Sequence, residues 1–283
     1  MLKLGSSLSL PSLKRIVFSP PQVQSLFHHF SFQWGVSSDE DASGGALSPA
    51  HATSGTTIIG GQSLGIGVGT MSPTDKVNEW IDIMDNSLSV KAVQTTSADK
   101  PTWGTYGSAP ASEKPMILFD GDTFMDINTN IDIAANQDFS IMAHVVFTNT
   151  NARAMYGSNA NNFFRINNEE GFRCKIGGSG NSNFTEVSDT ITLNTDYFIT
   201  IQRSNGATGR LAVYVHSEGL YEDKTWGSTT NTDPDAFTIN NIGAAADDSM
   251  NFTGIFKNLF IYKGAALTSD NRKTLYTYLT SLL

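Results

Sequence analysis

The stretch that decides the fold is Phe252-Thr-Gly-Ile-Phe-Lys-Asn-Leu-Phe-Ile-Tyr262, near the carboxyl end of a chain of 283 residues. Apolar side chains alternate there with Thr, Lys and Asn. This is the period-two pattern of a β-strand with one buried face, with one register shift expected near Gly254. The stretch therefore predicts the closing strand of a β domain.

A short amphipathic helix is predicted directly after this strand. Thr268 or Ser269 supplies the side-chain oxygen that caps the amino end of a helix. Apolar residues follow at helical spacing and define one face: Leu275, Leu279 and Leu282.

The same short alternating runs fill the chain from Val77 onward, separated by Asn, Asp and Gly turns. Several runs recur at the spacing typical of a β-sandwich. Further strands are predicted at Ile117–Phe119, Phe124–Ile127, Phe139–Phe147, Ala154–Gly157, Phe163–Asn167, Gly171–Ile176, Val187–Leu193, Tyr197–Arg203, Leu211–His216 and Phe237–Ile242. Helix is expected only near the chain ends, so the predicted fold is all-β.

The upstream part divides into zones of different composition. Residues 1–20 form a basic arm rich in Ser and Leu, and residues 21–36 are aromatic-rich and predict a short helix running into a strand. Residues 37–76 are rich in Ser, Gly, Ala and Thr, which predicts a long loop or insertion. The interpretation is one β domain over residues 21–283, preceded by the arm.

Charge is unevenly distributed along the chain. The formal net charge is −9, from 18 basic and 27 acidic side chains, which argues against nucleic acid or membrane as the main partner. The first 38 residues nevertheless carry Lys3, Lys14 and Arg15 and no acid. Either this arm docks on an acidic partner, such as another copy or a neighbouring protein, or it is a solvated tail.

The amino terminus has no continuous apolar segment and soon reaches Pro11, so it is a poor signal peptide. Synthesis in a cytoplasm without general export is expected. Cys174 is the only cysteine, which excludes an intrachain disulfide. Because Cys174 lies in an alternating run, it is expected to be either a half-buried strand residue or an exposed thiol.

Several segments, read in order, resemble the laminin-G/concanavalin-A-like jelly-roll family. Lys114–Ile127 is similar to the opening strand pair with its Phe-Asp-Gly turn, and Asp138–Phe147 is similar to the long central strand. Asn194–Arg203 and Gly209–His216 resemble the following hairpin, although its closing turn departs from the family's pattern. Asn251–Leu283 matches the last strand and helix.

Lys76–Asn86 and Ala98–Trp103 resemble the lead-in of phage and bacterial members, so the resemblance covers roughly residues 18–283. It implies a concanavalin A-like/laminin-G-like antiparallel β-sandwich with a short carboxyl-terminal helix and an extended amino-terminal arm. Within that wide family, the poor signal peptide, the basic arm and the richness in Asn, Ser, Thr and Gly make the chain resemble a bacteriophage virion structural protein.

Catalysis is not expected. His28 and His29 are adjacent, so in a strand their rings point to opposite faces and cannot chelate one metal. Glu169 and Glu170 are neighbours on a turn, whereas a retaining glycosidase needs two carboxylates facing one cleft. His144, in the middle of a predicted strand, faces either a cavity or solvent.

Calcium is a possible cofactor, because members of the resembled family often hold one in loops. The candidate ligands are Asp120, Asp122, Asp247 and Asp248. The alternative is that these aspartates only shape turns by bonding their own backbone.

A sugar site needs an exposed aromatic ring with amide or carboxylate groups near it. Two predicted loops offer that mixture, through Tyr156, Asn159, Asn162, Tyr221 and Trp226. Exposed Tyr and Trp serve protein interfaces equally well.

The function predicted is that of a non-enzymatic virion structural protein: a capsid decoration, a fibre or a tail appendage. It is expected to be a homo-oligomer anchored to other virion proteins through Lys3, Lys14 and Arg15 of the arm. The alternative is a carbohydrate-binding adhesin that recognises host surface glycans.

Overall fold

A computed structural model describes residues 26–31, 36–37, 57–59, 62–64, 75–82, 84, 89–104, 116–177, 180–185, 190–204, 210–217, 224–230, 235–245 and 250–281. The elements, in chain order, are β1 Leu26–Ser31, β2 Val36–Ser37, β3 Thr57–Ile59, β4 Gln62–Leu64, β5 Glu79–Ile81, β6 Lys91–Val93, β7 Thr102–Gly104, β8 Met116–Asp120, β9 Met125–Ile133, β10 Phe139–Phe147, β11 Arg153–Asn159, β12 Asn162–Asn168, β13 Gly171–Lys175, β14 Ser182–Thr185, β15 Asp196–Ser204, β16 Arg210–Ser217, β17 Lys224–Thr230, β18 Phe237–Ile242, β19 Thr253–Lys263 and α1 Ser269–Ser281.

Two antiparallel sheets form a β-sandwich of the jelly-roll class, as the alternating runs predict. The first sheet has the strand order β17-β16-β15-β10-β19-β8-β7, and β1 also pairs with β19. The second has the order β14-β13-β12-β11-β18-β9-β6-β5-β2. Strands β3 and β4 form a two-stranded sheet.

The core lies between the sheets and is rich in aromatic rings. Phe252 contacts Phe119, Phe147 and Phe256 edge to face, with ring centroids 5.7–6.0 Å apart. Each of these rings is fully buried. Gly254, with φ of +150°, lies where a Cβ would collide with the Val146 carbonyl oxygen, so β10 and β19 can approach closely only with glycine there.

Strand β19 carries its register shift further along than Gly254. His144 pairs with Asn258 and Val145 with Phe256, which leaves Lys257 as the extra residue of a β-bulge. The predicted position near Gly254 is therefore wrong. The bulge inverts the alternation, because Phe256 faces the core before it and Leu259 faces the core after it. Asn258 consequently lies on the outer face of the first sheet.

Helix α1 covers part of that outer face. Thr268 is the N-cap, because its hydroxyl accepts a hydrogen bond from the Asn271 amide at 3.2 Å. Leu275 and Leu279 are buried in one cluster with Phe198 and Phe260, as the helical spacing predicts. Leu282 lies outside the described residues. No helix among the described residues is long and apolar enough to span a membrane.

The segment Val187–Leu193 is not the predicted strand where the structure describes it, over residues 190–193. Its backbone bonds outside any ladder: Ile191 N donates to Glu169 O at 2.7 Å, and Thr192 N donates to the Tyr197 hydroxyl. The strand that extends this sheet edge is β14.

The aromatic zone forms strand β1 over its described part, and the predicted helix start falls outside the described residues. Residues 1–20 lie outside them as well, and of 37–76 the structure describes little beyond β3 and β4.

Candidate functional site: the outer faces of the two sheets

Two of the three aromatic rings predicted as exposed sugar-stacking platforms, those of Tyr156 and Trp226, are buried. Tyr156 belongs to the core, where its ring lies 5.6 Å from that of Phe164, and burial raises its pKa well above the usual value. A register irregularity between Ala154 and Tyr156 turns the tyrosine inward. Trp226 is 3% exposed, and its indole N–H donates to the Glu170 carbonyl at 2.9 Å. The predicted exposure of both rings is wrong.

The amides predicted beside those rings lie at the surface of the β11–β12 hairpin. Asn159 is exposed, and its Oδ1 accepts a hydrogen bond from the Asn161 amide at 2.8 Å. Asn162 Oδ1 accepts one from Gly177 N at 3.1 Å. The hairpin therefore presents polar side chains, but without an aromatic platform from Tyr156.

The described calcium candidates shape a turn between β8 and β9. Asp120 Oδ1 accepts a hydrogen bond from the Asp122 amide at 3.1 Å, and Asp120 N donates to Thr123 Oγ1. No group of three or more His, Cys, Asp or Glu side chains that could hold a metal ion occurs within the described ranges. A calcium site remains a prediction from the sequence. The remaining predicted site residues lie outside the described ranges: Lys3, Lys14, Arg15, Tyr221, Asp247 and Asp248.

The outer face of β12, β13 and β14 carries a set of polar side chains that sequence reasoning did not single out. We call this set the arginine face; it consists of Arg165, Asn167, Arg173, Lys175 and Asn183. The alternate residues of the same strands are buried in the core, so these side chains point outward. The same alternation makes Cys174 a buried core residue.

Strand register places the two arginines of this face directly opposite each other. Arg165 pairs with Arg173, and Arg173 pairs with Asn183 on the next strand. Like charges directly opposite in an antiparallel pair are destabilising. The pKa of Arg165 is lowered by partial burial and by the positive charge of Arg173.

Neighbouring asparagines hold the basic groups of the arginine face in place. Arg173 Nε donates to Asn183 Oδ1 at 2.7 Å, and Arg165 Nη2 donates to Asn167 Oδ1 at 3.3 Å. Lys175 Nζ donates to Asn161 Oδ1 at 2.9 Å. The positive charges are therefore oriented by neutral amides and are not neutralised by them.

The outer face of the first sheet carries a different polar arrangement, a buried polar chain formed by His29, Asn258, His144, Asp196 and Lys257. Lys257 Nζ donates to Asp196 Oδ1 at 2.6 Å, and His144 Nε2 donates to the same oxygen at 2.8 Å. Asn258 Nδ2 donates to His144 Nδ1, and His29 Nε2 donates to Asn258 Oδ1, both at 3.3 Å.

Burial sets the protonation states along this chain. Both histidines are fully buried, and this loss of hydration lowers the pKa of His144 to about 4 and that of His29 to about 3. Burial alone would raise the pKa of Asp196, but the hydrogen bond from His144 and the charge of Lys257 together lower it to about 2. At neutral pH the buried polar chain therefore contains two neutral imidazoles and one Lys–Asp ion pair.

Neither ring nitrogen of His144 is open to a substrate in this arrangement. Both ring nitrogens of His144 are already hydrogen-bonded, and the side chain has no solvent exposure. His144 thus faces neither a cavity nor solvent, contrary to both interpretations from the sequence. His28 bonds Asp82 while His29 bonds Asn258, so the two adjacent rings diverge as predicted.

Comparisons with known proteins agree with the fold. No protein-family model matches the sequence, and no curated protein sequence matches it. A GH54 α-L-arabinofuranosidase structure is similar with a TM-score of 0.52 and 12% identity, covering 90% of this chain and 62% of that chain.

Two further structures are similar at lower scores. Domain 4 of a GH43 extracellular arabinanase from Geobacillus stearothermophilus, in complex with arabinotriose, has a TM-score of 0.44 at 18% identity, covering 65% of this chain and 82% of that chain. A heptameric SAP-like pentraxin from Limulus polyphemus has a TM-score of 0.43 at 15% identity, covering 55% and 78%.

Proposed function

We propose that this protein binds carbohydrate on the arginine face and does so without catalysis. The observation that supports this is the row of outward-pointing guanidinium, ammonium and amide groups, whose basic members are held in place by hydrogen bonds to asparagine side chains. Sugar hydroxyls are recognised by such donors and acceptors when they are positioned before the ligand arrives. Asn167 and Asn183 would orient the two arginines and contribute amide N–H groups of their own.

The likeness to the GH54 α-L-arabinofuranosidase concerns the fold alone, so the ligand class is argued from the face itself. We also propose that the protein has no catalytic role. It is supported by the full engagement of His144 within the buried polar chain.

A glycan array with the full chain tests the proposal. We expect binding to at least one glycan, and we expect the Asn167→Ala/Asn183→Ala double variant to lose most of the signal. Asn130→Ala is the matched control, because Asn130 is an exposed asparagine on β9 of the same sheet and should bind as the wild type does. Absence of binding to any glycan, or equal binding by the double variant, would contradict the proposal.

The virion setting is a second candidate, and it is supported by the basic arm of an otherwise acidic chain, with Lys3, Lys14 and Arg15. On this proposal the β-sandwich is displayed on a phage particle and the arm attaches it. Deletion of residues 1–20 should leave the sandwich folded and abolish incorporation into particles. Normal incorporation of the truncated chain would count against the proposal.

A further inference from the structure

The arginine face gathers three positive charges that have no carboxylate partner among the described residues. Among the described residues, the lysines in ion pairs are Lys91, with Glu79, and Lys257, with Asp196. Neither Arg165, Arg173 nor Lys175 makes an ion pair within that part of the chain; their side-chain partners there are amide oxygens and the sulfur of Met250. Arg210 also lacks a carboxylate partner among the described residues, so what distinguishes the arginine face is that Arg165 and Arg173 lie directly opposite each other.

The geometry of Arg173 leaves its most specific donors available. Its Nε is bonded to Asn183, which fixes the plane of the guanidinium, and its two Nη groups have no protein partner among the described residues. A guanidinium presents paired N–H donors that match the two oxygens of a carboxylate. Arg165 lies opposite Arg173 on β12 and Lys175 lies two residues further along β13, so both add positive charge without occupying that fork.

An anionic ligand would also remove the cost of the cross-strand arginine pair. Two like charges opposite each other repel, and a carboxylate placed between them converts the repulsion into two attractions. A neutral sugar in the same position would leave the repulsion between the two arginines in place.

We infer that the arginine face selects a sugar that bears a carboxylate, of the uronic acid type, and that the Nη groups of Arg173 bind that carboxylate in bidentate fashion. The inference rests on the proposed carbohydrate binding and specifies its ligand class. Arg165 and Lys175 act as the neighbouring charges that strengthen the interaction.

Calorimetry with a galacturonic acid trisaccharide and its methyl ester tests the inference, because the two ligands share their shape and differ in charge. The full chain should bind the acid at least about tenfold more tightly than the ester, since hydrogen bonds to charged groups are the stronger class. Arg173→Gln should remove that difference. Arg173→Lys should recover only part of it, because a lysine keeps the charge but loses the fork.

Arg210→Gln is the matched control. Arg210 is an exposed arginine on β16 of the other sheet, bonded to Ser228 Oγ at 3.1 Å, so its loss removes the same charge at a distance from the face. It should leave the preference for the acid unchanged. A thermal melt of each variant checks that the fold is retained.

Three outcomes would overturn the inference. The first is equal affinity for acid and ester, and the second is an equal loss of preference in Arg210→Gln. The third is equally tight binding of a sulfated trisaccharide of the same charge, together with an unchanged affinity of Arg173→Lys for the acid, which would show unspecific attraction of polyanions. If neutral glycans bind on the array while the acid gives no advantage, the ligand class is wrong and carbohydrate binding stands; if no glycan binds at all, both proposals fail.

Discussion

The outer faces of the two sheets handle charge in opposite ways. On the first sheet, His29 and His144 are fully buried and stack on Phe260 and Phe198, which pack against helix α1, and the Lys257 charge is paired with Asp196 at 2.6 Å. On the second sheet, Arg165 and Arg173 face each other, and their side-chain partners are amide oxygens and the sulfur of Met250. Burial of an unpaired charge is very costly, whereas a hydrated one is tolerated. We call the outer face of the first sheet the covered face and that of the second sheet, which includes the arginine face, the open face; ligand binding is proposed only for the open face.

The largest effect should come from breaking the ion pair of the covered face. Asp196→Ala leaves Lys257, which is 3% exposed, buried without its carboxylate, and loss of one partner of such a pair costs about 3–5 kcal/mol. Urea unfolding would measure this loss. The control is Asp132→Ala on the open face, where the exposed carboxylate accepts a hydrogen bond from Thr238. Its removal should lower the free energy of unfolding by less than about 1 kcal/mol. Equal losses in both variants would remove the contrast between the faces.

Acid should destabilise the covered face through its histidines. The folded-state pKa of His29 is about 3, below the usual 6.5, so the unfolded chain binds more protons as the pH falls below about 6.5. Between pH 7 and pH 5 this lowers the free energy of unfolding by about 2 kcal/mol for this group. Asp196, whose pKa is about 2, begins to lose its contribution only below about pH 4, outside this window.

The measurement is urea unfolding at several pH values, for the wild type and for His29→Gln, which keeps an N–H donor for Asn258. Between pH 7 and pH 5, the free energy of unfolding of the variant should fall by about 2 kcal/mol less than that of the wild type. Identical pH profiles would mean that His29 takes up protons in the folded state.

The smallest effect is expected on the open face, and it has the opposite sign. Arg173→Gln should stabilise the fold by up to about 0.5 kcal/mol, because it relieves the repulsion from Arg165. Arg210→Gln, which has no cross-strand arginine, should leave stability unchanged within error. A destabilised Arg173→Gln variant would show that this arginine serves the fold, and the open face would then resemble the covered one.

Sequence patterns predicted the elements better than the positions of the functional groups. The closing strand, the Thr268 cap and the apolar face with Leu275 and Leu279 all follow from local periodicity, and all are present. The polar neighbours of Tyr156 and Trp226 predict that both rings lie at the surface. A register irregularity turns Tyr156 inward, and Trp226 is buried by the packing of its strand. Such irregularities leave no reliable signal in one sequence.

The arginine face could have been found only in part. Alternation around Arg165 and Arg173 indicates that both point away from the core, and this much is readable from the residues alone. Their juxtaposition depends on the register between β12 and β13, which the β-turn and its irregularity at Asn168 set.

Local order in the chain was enough to establish strands, turns, the terminal helix and hence an all-β sandwich, because alternation and capping are properties of consecutive residues. Long-range pairing established the rest. His29 meets Asn258 across 229 positions, the bulge at Lys257 turns Asn258 toward the covered face, and register brings Arg165 opposite Arg173. These contacts arise where two distant segments bury their apolar faces together, and a one-residue slip in either pairing would move every side chain to the other face.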